Sequence, residues 1–278
     1  MFLIELLKAV LIGIIQGITE WLPVSSTGHM IILDELLKLN VSEAFMEMFL
    51  VVIQLGSILA VVVLLFHKLN PFSPKKSTVE KEQTWNLWLK IIVAITPSGI
   101  VGLLLNNWFD KHFYNYITVA IALIAYGFLF IIIEKRQAGK TGRVKFVSDI
   151  SYRMAFLIGM FQILALIPGT SRSGSTIIGA MLVGLSRGCA AEFSFFMAVP
   201  TMLSASVLKI AAFIFDSTAV MTGHELFILL VGCIVAFLVS LVSIRYLMNY
   251  VHKHTFSSFG VYRIILGIIV VSYFLIAG

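Results

Sequence analysis

Apolar runs of about 18 or more residues recur from one end of this chain to the other, each long enough to cross a roughly 30 Å hydrocarbon core as a helix. Inside hydrocarbon every backbone N–H and C=O needs a partner within the protein, which leaves helices and closed barrels as the spanning structures. Unbroken apolar runs of this length select the helix. The 278 residues are 59% hydrophobic and 12% charged, which excludes an ordinary soluble domain. The opening "MFLIELLKAVLIGIIQG" has the look of a leader peptide, but Glu5 precedes the first lysine and no small-residue cleavage site follows, so it reads as retained. The formal charge of +6 sits mainly on loop lysines and arginines, which points to membrane orientation and not to nucleic acid. Cys189 and Cys233 lie far apart in apolar segments, without metal-ligand spacing, and read as membrane packing.

Two stretches break the apolar pattern, and they resemble each other. "GIIQGITEWLPVSSTGHMII" runs from Gly13 to Ile32, and "GMFQILALIPGTSRSGSTII" from Gly159 to Ile178. Both begin Gly-x-x-Gln, reach a proline, enter a Ser/Thr/Gly cluster and end Ile-Ile, with one residue of slippage between Gln and Pro. A weaker likeness follows between "EAFMEMFLVVIQLGSILAVVVLLF" and "AAEFSFFMAVPTMLSASVLKIAAF". The chain therefore reads as a single integral membrane domain over 1–278, with internal repeats at about 1–135 and 151–278.

In each polar stretch the proline and the small polar residues interrupt the helix, leaving two pieces too short to span with ease. A helix, a break and a returning helix make a re-entrant hairpin. Three full spans follow each one, near Ala44–Phe66, Trp85–Leu105 and Ile117–Ile133, then near Cys189–Phe215, Glu225–Tyr250 and Phe259–Ala277. The expected fold is all-α and polytopic, with about six full transmembrane helices and two re-entrant hairpins. Three crossings per half invert the second half relative to the first, which brings the two broken elements together near the midplane. One face of this topology receives the loops around Lys75 and Lys140, together with Arg187, Arg245, Lys253 and Arg263. The other receives only Lys8, Lys38, Lys111 and Lys209. The excess of positive charge predicts cytoplasmic loops at 67–86 and 134–153 and both termini outside.

Polar groups in hydrocarbon are costly unless paired, so these two clusters are the candidate site. Gly13, Gln16, Gly17 and Glu20 fall at i, i+3, i+4 and i+7, so two glycines permit close approach on the face from which Gln16 and Glu20 project. Pro23 ends that helix, and Ser25, Ser26 or Thr27 can cap the returning one. His29 is either an interior hydrogen-bonded histidine or an acid, base or nucleophile, and its nearness to Glu20 across the break favours the second reading. In "PGTSRSGST", Gly169 and Gly174 free the backbone, Thr170, Ser171, Ser173, Ser175 and Thr176 supply hydroxyls, and Arg172 adds a permanent cation. Hydroxyls and N–H donors at a helix start, with an arginine, form a cradle for an anion such as phosphate. No Gly-Lys-Ser/Thr or Gly-x-Ser-x-Gly pattern accompanies it, which argues against nucleotide hydrolysis and serine esterase chemistry. A carboxylate, a histidine and hydroxyls in one half and a phosphate clamp in the other are the parts of phosphoryl transfer.

"QGITEWLPVSSTGHMI" followed by "PGTSRSGSTI", with "VVIQLGSILAVV" and "EFSFFMAVP" between and after, resembles the bacitracin-resistance type of undecaprenyl-diphosphate phosphatase over nearly the whole chain. The resemblance implies an integral enzyme of the bacterial plasma membrane that removes a phosphate from the C55 isoprenyl diphosphate, with its site facing outward, a divalent cation such as Mg2+ or Ca2+, and room for a homodimer. By position it implies Glu20, Ser26, His29 and Arg172 as catalytic residues, and Glu20 with Gln16 at the metal. It implies Ser25, Thr27, Gly169, Thr170, Ser171, Arg172, Ser173 and Thr176 around the diphosphate. The first position of the Gln/Glu-x-x-x-Glu motif is Gln16 here, so Glu20 is expected to dominate metal or base work. Ser26, His29 and a metal-bound water all stand as candidate nucleophiles. The competing reading from the same architecture is a lipid-phosphate flippase or anion transporter, which needs the charge complementarity but no nucleophile and base.

Overall fold

The computed structural model describes residues 2–137, 142–215 and 220–277; Lys140 lies outside the described residues. Its helices are α1 (Phe2–Thr19), α2 (Ser26–Leu37), α3 (Glu43–Leu64), α4 (Phe66–Leu69), α5 (Thr78–Phe113), α6 (Tyr116–Arg136), α7 (Tyr152–Ile163), α8 (Arg172–Leu182), α9 (Arg187–Phe215), α10 (Gly223–Lys253) and α11 (Ser257–Ala277). Short 3-10 turns occupy Val147–Asp149 and Leu164–Leu166. Seven of the described helices are long and apolar enough to cross a membrane: α1, α3, α5, α6, α9, α10 and α11. This is a multi-pass, all-α membrane protein.

The seventh, α1, is one more than the sequence led us to expect, and its polar contacts explain the difference. Lys8 Nζ donates to the Lys38 carbonyl at 3.0 Å, and the Asn40 N–H donates to Glu5 at 3.0 Å. The beginning of α1 and the end of α2 thus lie together, although α1 alone has the length of a span. The second hairpin has its ends together too. At the α7 end, Lys90 donates to the Ser148 carbonyl at 2.8 Å and Tyr152 to Asn86 at 2.8 Å, while at the α8 end Gln137 donates to the Met181 carbonyl at 2.9 Å.

Polar clusters mark the two faces of the helix assembly. On the face of the first hairpin's ends, Glu225 accepts from the Ser42 N–H and hydroxyl and from the Thr222 cap, joining α3 to α10. On the opposite face, buried Glu134 at the end of α6 receives the Arg187 guanidinium from the start of α9 and the Phe256 N–H at 2.9 Å from the start of α11. The two hairpins therefore enter from opposite faces and meet in the middle.

Glycines set how closely the helices approach. A Cβ on Gly13 or Gly17 would lie 2.8 Å from a carbonyl of α10, so α1 rests directly on that backbone. A Cβ on Gly159 would fall 1.9 Å from the Ala94 carbonyl, which locks α7 onto α5 in the same way. Small residues are how helices associate where lipid is as apolar as leucine. Each hairpin's first arm is thus seated on a long helix from the other half of the chain.

Candidate active site

The two breaks are built alike. Ser25 and Ser171 precede the returning helices with φ of 71° and 70°, a backbone state that costs a non-glycine residue about 1–3 kcal/mol. Each hydroxyl accepts from the N–H three residues on, Gly28 at 3.3 Å and Gly174 at 3.1 Å, so each strained serine is also the N-cap. The starts of α2 and α8 converge here with their unpaired N–H groups and positive dipole ends.

Glu20 stands between them. It is 5% exposed, and its two oxygens divide the partners: Oε1 receives Arg172 Nη2 at 3.1 Å, and Oε2 receives Gln16 Nε2 at 2.9 Å and the Ser26 hydroxyl at 3.1 Å. Three sequence-nominated residues, Gln16, Ser26 and Arg172, thus meet on the carboxylate of a fourth. The i, i+4 spacing of Gln16 and Glu20 delivers their contact as expected. Arg172 is further held by the Ser194 carbonyl at 2.8 Å, and its guanidinium lies 5.8 Å from the centroid of the buried Trp21 ring.

His29 lies differently from the expectation. Its Nδ1 sits 2.7 Å from the Ser25 carbonyl and its Nε2 2.6 Å from the Tyr262 hydroxyl, with the two rings stacked. A carbonyl can only accept, so Nδ1 carries the proton and Nε2 meets Tyr262. Both ring nitrogens are engaged elsewhere than at Glu20, one with the backbone of the break and the other with α11. Ser26 is therefore paired with Glu20 and not with His29.

The remaining hydroxyls of the second cluster hold the break itself. Thr170 donates to the Leu164 and Ile167 carbonyls, Ser173 contacts Ser171 and the Glu20 carbonyl, and Thr176 meets the Arg172 carbonyl and Ser194. Gly169, at φ 94°, turns the chain where a Cβ would come 2.6 Å from the Val119 carbonyl. Thr27 is half-buried in the first turn of α2. Gly174 has no positive φ; its role is room, since a Cβ there would lie 3.1 Å from Arg263.

Arg263 is the residue that sequence reasoning placed wrongly. It was counted among the cations of the positively charged face, yet it is fully buried between the breaks. It donates to Pro23 O at 3.2 Å in one hairpin and to Gly169 O at 2.7 Å and Thr170 O at 3.0 Å in the other, with its guanidinium over Tyr126. Proline and positive-φ turns leave carbonyls without helical partners, and Arg263 satisfies three of them at once. The clue was its depth: it falls in the second turn of α11, beyond where a loop cation belongs. Tyr262 and Ser194 were missed because each is an unremarkable polar residue in an apolar helix.

A family model described as bacitracin resistance protein BacA matches residues 9–269. The chain belongs to the BacA family. Among relatives of this BacA chain, a protein of Limosilactobacillus fermentum named undecaprenyl-diphosphatase is 56% identical over 272 residues, covering 98% of each chain. One from Enterococcus faecalis with the same name is 54% identical over 275 residues and 99% of each chain. A Clostridioides difficile protein named undecaprenyl-diphosphatase 1 is 57% identical over 274 residues, 98% of this chain and 97% of its own.

Proposed function

We propose that this chain is an undecaprenyl-diphosphatase, hydrolysing the C55 isoprenyl diphosphate to the monophosphate and inorganic phosphate at the meeting point of the two breaks. The observation that carries this reading is the single carboxylate, Glu20, that takes Arg172 of one hairpin on one oxygen and Ser26 of the other on the second. An anion clamp and a hydroxyl facing a base are thereby held within one diphosphate's reach.

In this reading Arg172 and the N–H groups opening α2 and α8 bind the diphosphate, supplying donors where charge builds up. The Ser26 Oγ bonds to the terminal phosphorus and its proton passes to Glu20. The bridging P–O bond breaks, and the lipid monophosphate leaves with the electron pair. Water then displaces the phosphoryl group from Ser26, and Glu20 returns the proton. His29, fixed between the Ser25 carbonyl and Tyr262, is a positioning residue for the strained turn that aims Ser26. Ser25, Thr27, Gly169, Thr170, Ser171, Ser173 and Thr176 shape the cradle, several of them through Arg172 and the backbone.

The side chains suit a divalent cation at Glu20 and Gln16. Gln16 Oε1 is buried beside Glu20 and has no hydrogen-bond partner, and a hard cation takes such an oxygen. Among the described residues no three His, Cys, Asp or Glu side chains cluster, so substrate phosphate oxygens would complete the coordination. When bound, Mg2+ or Ca2+ would neutralise charge on the diphosphate. We read the opposed hairpins and their spans as two inverted repeats, with the lysine-rich loops in the cytoplasm and the site reached from outside.

The test is phosphate release from the C55 isoprenyl diphosphate by purified protein, with and without chelator, for wild type, Glu20→Ala and Arg172→Ala. Chelator-sensitive release lost in both variants supports the assignment. A folded wild type that releases none moves the reading to lipid-phosphate transport.

A further inference from the structure

The side of Arg172 that faces away from Glu20 lines a cavity the catalytic reading does not use. About 220 Å3 in volume, it is walled by Ser98 and Gly99 of α5 and by Thr201 and Ser204 of α9, with Gln162 and Arg172 deeper inside. Both long helices carry an internal proline beside it, Pro97 in α5 and Pro200 in α9. Proline removes a helical hydrogen bond and bends the helix, so a gap between two helices is natural where both carry one at the same depth. Gly99 and Ser204 are exposed at the mouth, beside the exposed apolar side chains of Ile100 and Leu203. The mouth therefore opens sideways, on the surface that meets lipid.

Two buried polar atoms inside lack partners: Gln162 Oε1 and Arg172 Nε. The orientation of the Gln162 amide follows from its neighbours. Its Nε2 lies 2.7 Å from the Ser98 hydroxyl and 3.3 Å from that of Thr201. Those hydroxyls spend their protons on the Ile95 carbonyl at 3.1 Å and the Met197 carbonyl at 2.8 Å, so they accept from the amide. Oε1 is then left as an unsatisfied acceptor on the same cavity as an unsatisfied guanidinium donor. A buried polar atom without a partner is costly, and a visiting ligand that supplies the missing partner would relieve that cost.

We propose that the gap between α5 and α9 is a lateral portal through which the isoprenyl diphosphate passes from the bilayer to the site. This rests on the phosphatase reading for the identity of the lipid, though not for the existence of the passage. The diphosphate leads, its oxygens accepting from Arg172 Nε–H and a phosphate hydroxyl or hydration water donating to Gln162. The isoprenyl chain trails between the two proline-bearing helices in the membrane. The cavity is smaller than the roughly 300–1,000 Å3 of sites that enclose a whole small molecule, which suits a head group in transit.

The experiment uses Gly99→Phe and Ser204→Phe in lipid nanodiscs. A Cβ on Gly99 meets nothing within 4 Å, and Ser204 is exposed, so both variants should fold. Turnover of the C55 diphosphate is compared with that of a water-soluble short-chain isoprenyl diphosphate, which needs no passage from the bilayer. In parallel, a photoreactive isoprenyl diphosphate is crosslinked to wild type and the labelled peptides are identified. The portal predicts at least a tenfold loss of kcat/KM on the C55 substrate, less than twofold on the short one, and labels on α5 and α9 around positions 99 and 204. C55 turnover within twofold of wild type in both variants, equal losses on both substrates, or labels confined to other helices would overturn it. Wild type that labels at α5 and α9 yet releases no phosphate would sink the phosphatase and keep the portal.

Discussion

In the first hairpin the residue after the capping serine is Ser26, and in the second it is Arg172. Both follow a serine held near φ 70°, both open a helix whose third N–H returns to that serine, and both side chains end on Glu20. One backbone device therefore presents a neutral hydroxyl from one hairpin and a permanent cation from the other. The first hairpin also contributes the carboxylate, so neither cluster is complete alone. Chemistry can be divided between the halves because the geometry is shared between them.

The sharpest way to break the comparison is to change what Arg172 presents without moving its backbone. Arg172→Lys keeps the charge but loses the planar fork that reaches Glu20 and Ser194 together, and phosphate release should fall on the order of 10²- to 10³-fold. A variant within a few-fold of wild type would show that the second hairpin offers only charge.

Next comes the residue that ties the breaks together. Arg263→Met strands the Pro23, Gly169 and Thr170 carbonyls, and unfolding in detergent should become easier by about 1–3 kcal/mol for each carbonyl left without a partner. Unchanged thermal stability would mean the two turns hold themselves.

Smaller effects test the caps separately. Ser25→Ala and Ser171→Ala each remove one cap and should each cost about 1 kcal/mol by thermal or denaturant melting. A much larger cost at one serine would mean that the two breaks bear strain unequally. Smallest of all, Tyr262→Phe removes one hydrogen bond from His29 and should lower kcat less than about tenfold. A loss as large as that of Arg172→Lys would give His29 and Tyr262 a direct part in proton transfer.

Much of this was legible without coordinates. Runs of apolar residues dictate helices because lipid offers the backbone no hydrogen bonds, and a proline followed by serines and glycine dictates a break. The spacing of Gln16 and Glu20 along one helix determines that their side chains touch, since helical periodicity is local. The sequence also nominated Arg172, because an arginine at such depth needs a purpose, while Ser26 was singled out from its neighbouring hydroxyls by the family resemblance.

What tertiary structure alone decided are the contacts between elements far apart in the chain. Whether Ser26 pairs with His29 or with Glu20 depends on how far α2 turns after the break, and the observed partner is Glu20. The position of Arg263 within α11 hints at burial, but only the meeting of three segments shows it holding both turns. The physical reason is range. Periodicity and breaker residues act over a few positions, whereas the partner of a buried charge is set by which distant backbone carbonyls the folded helices bring to it.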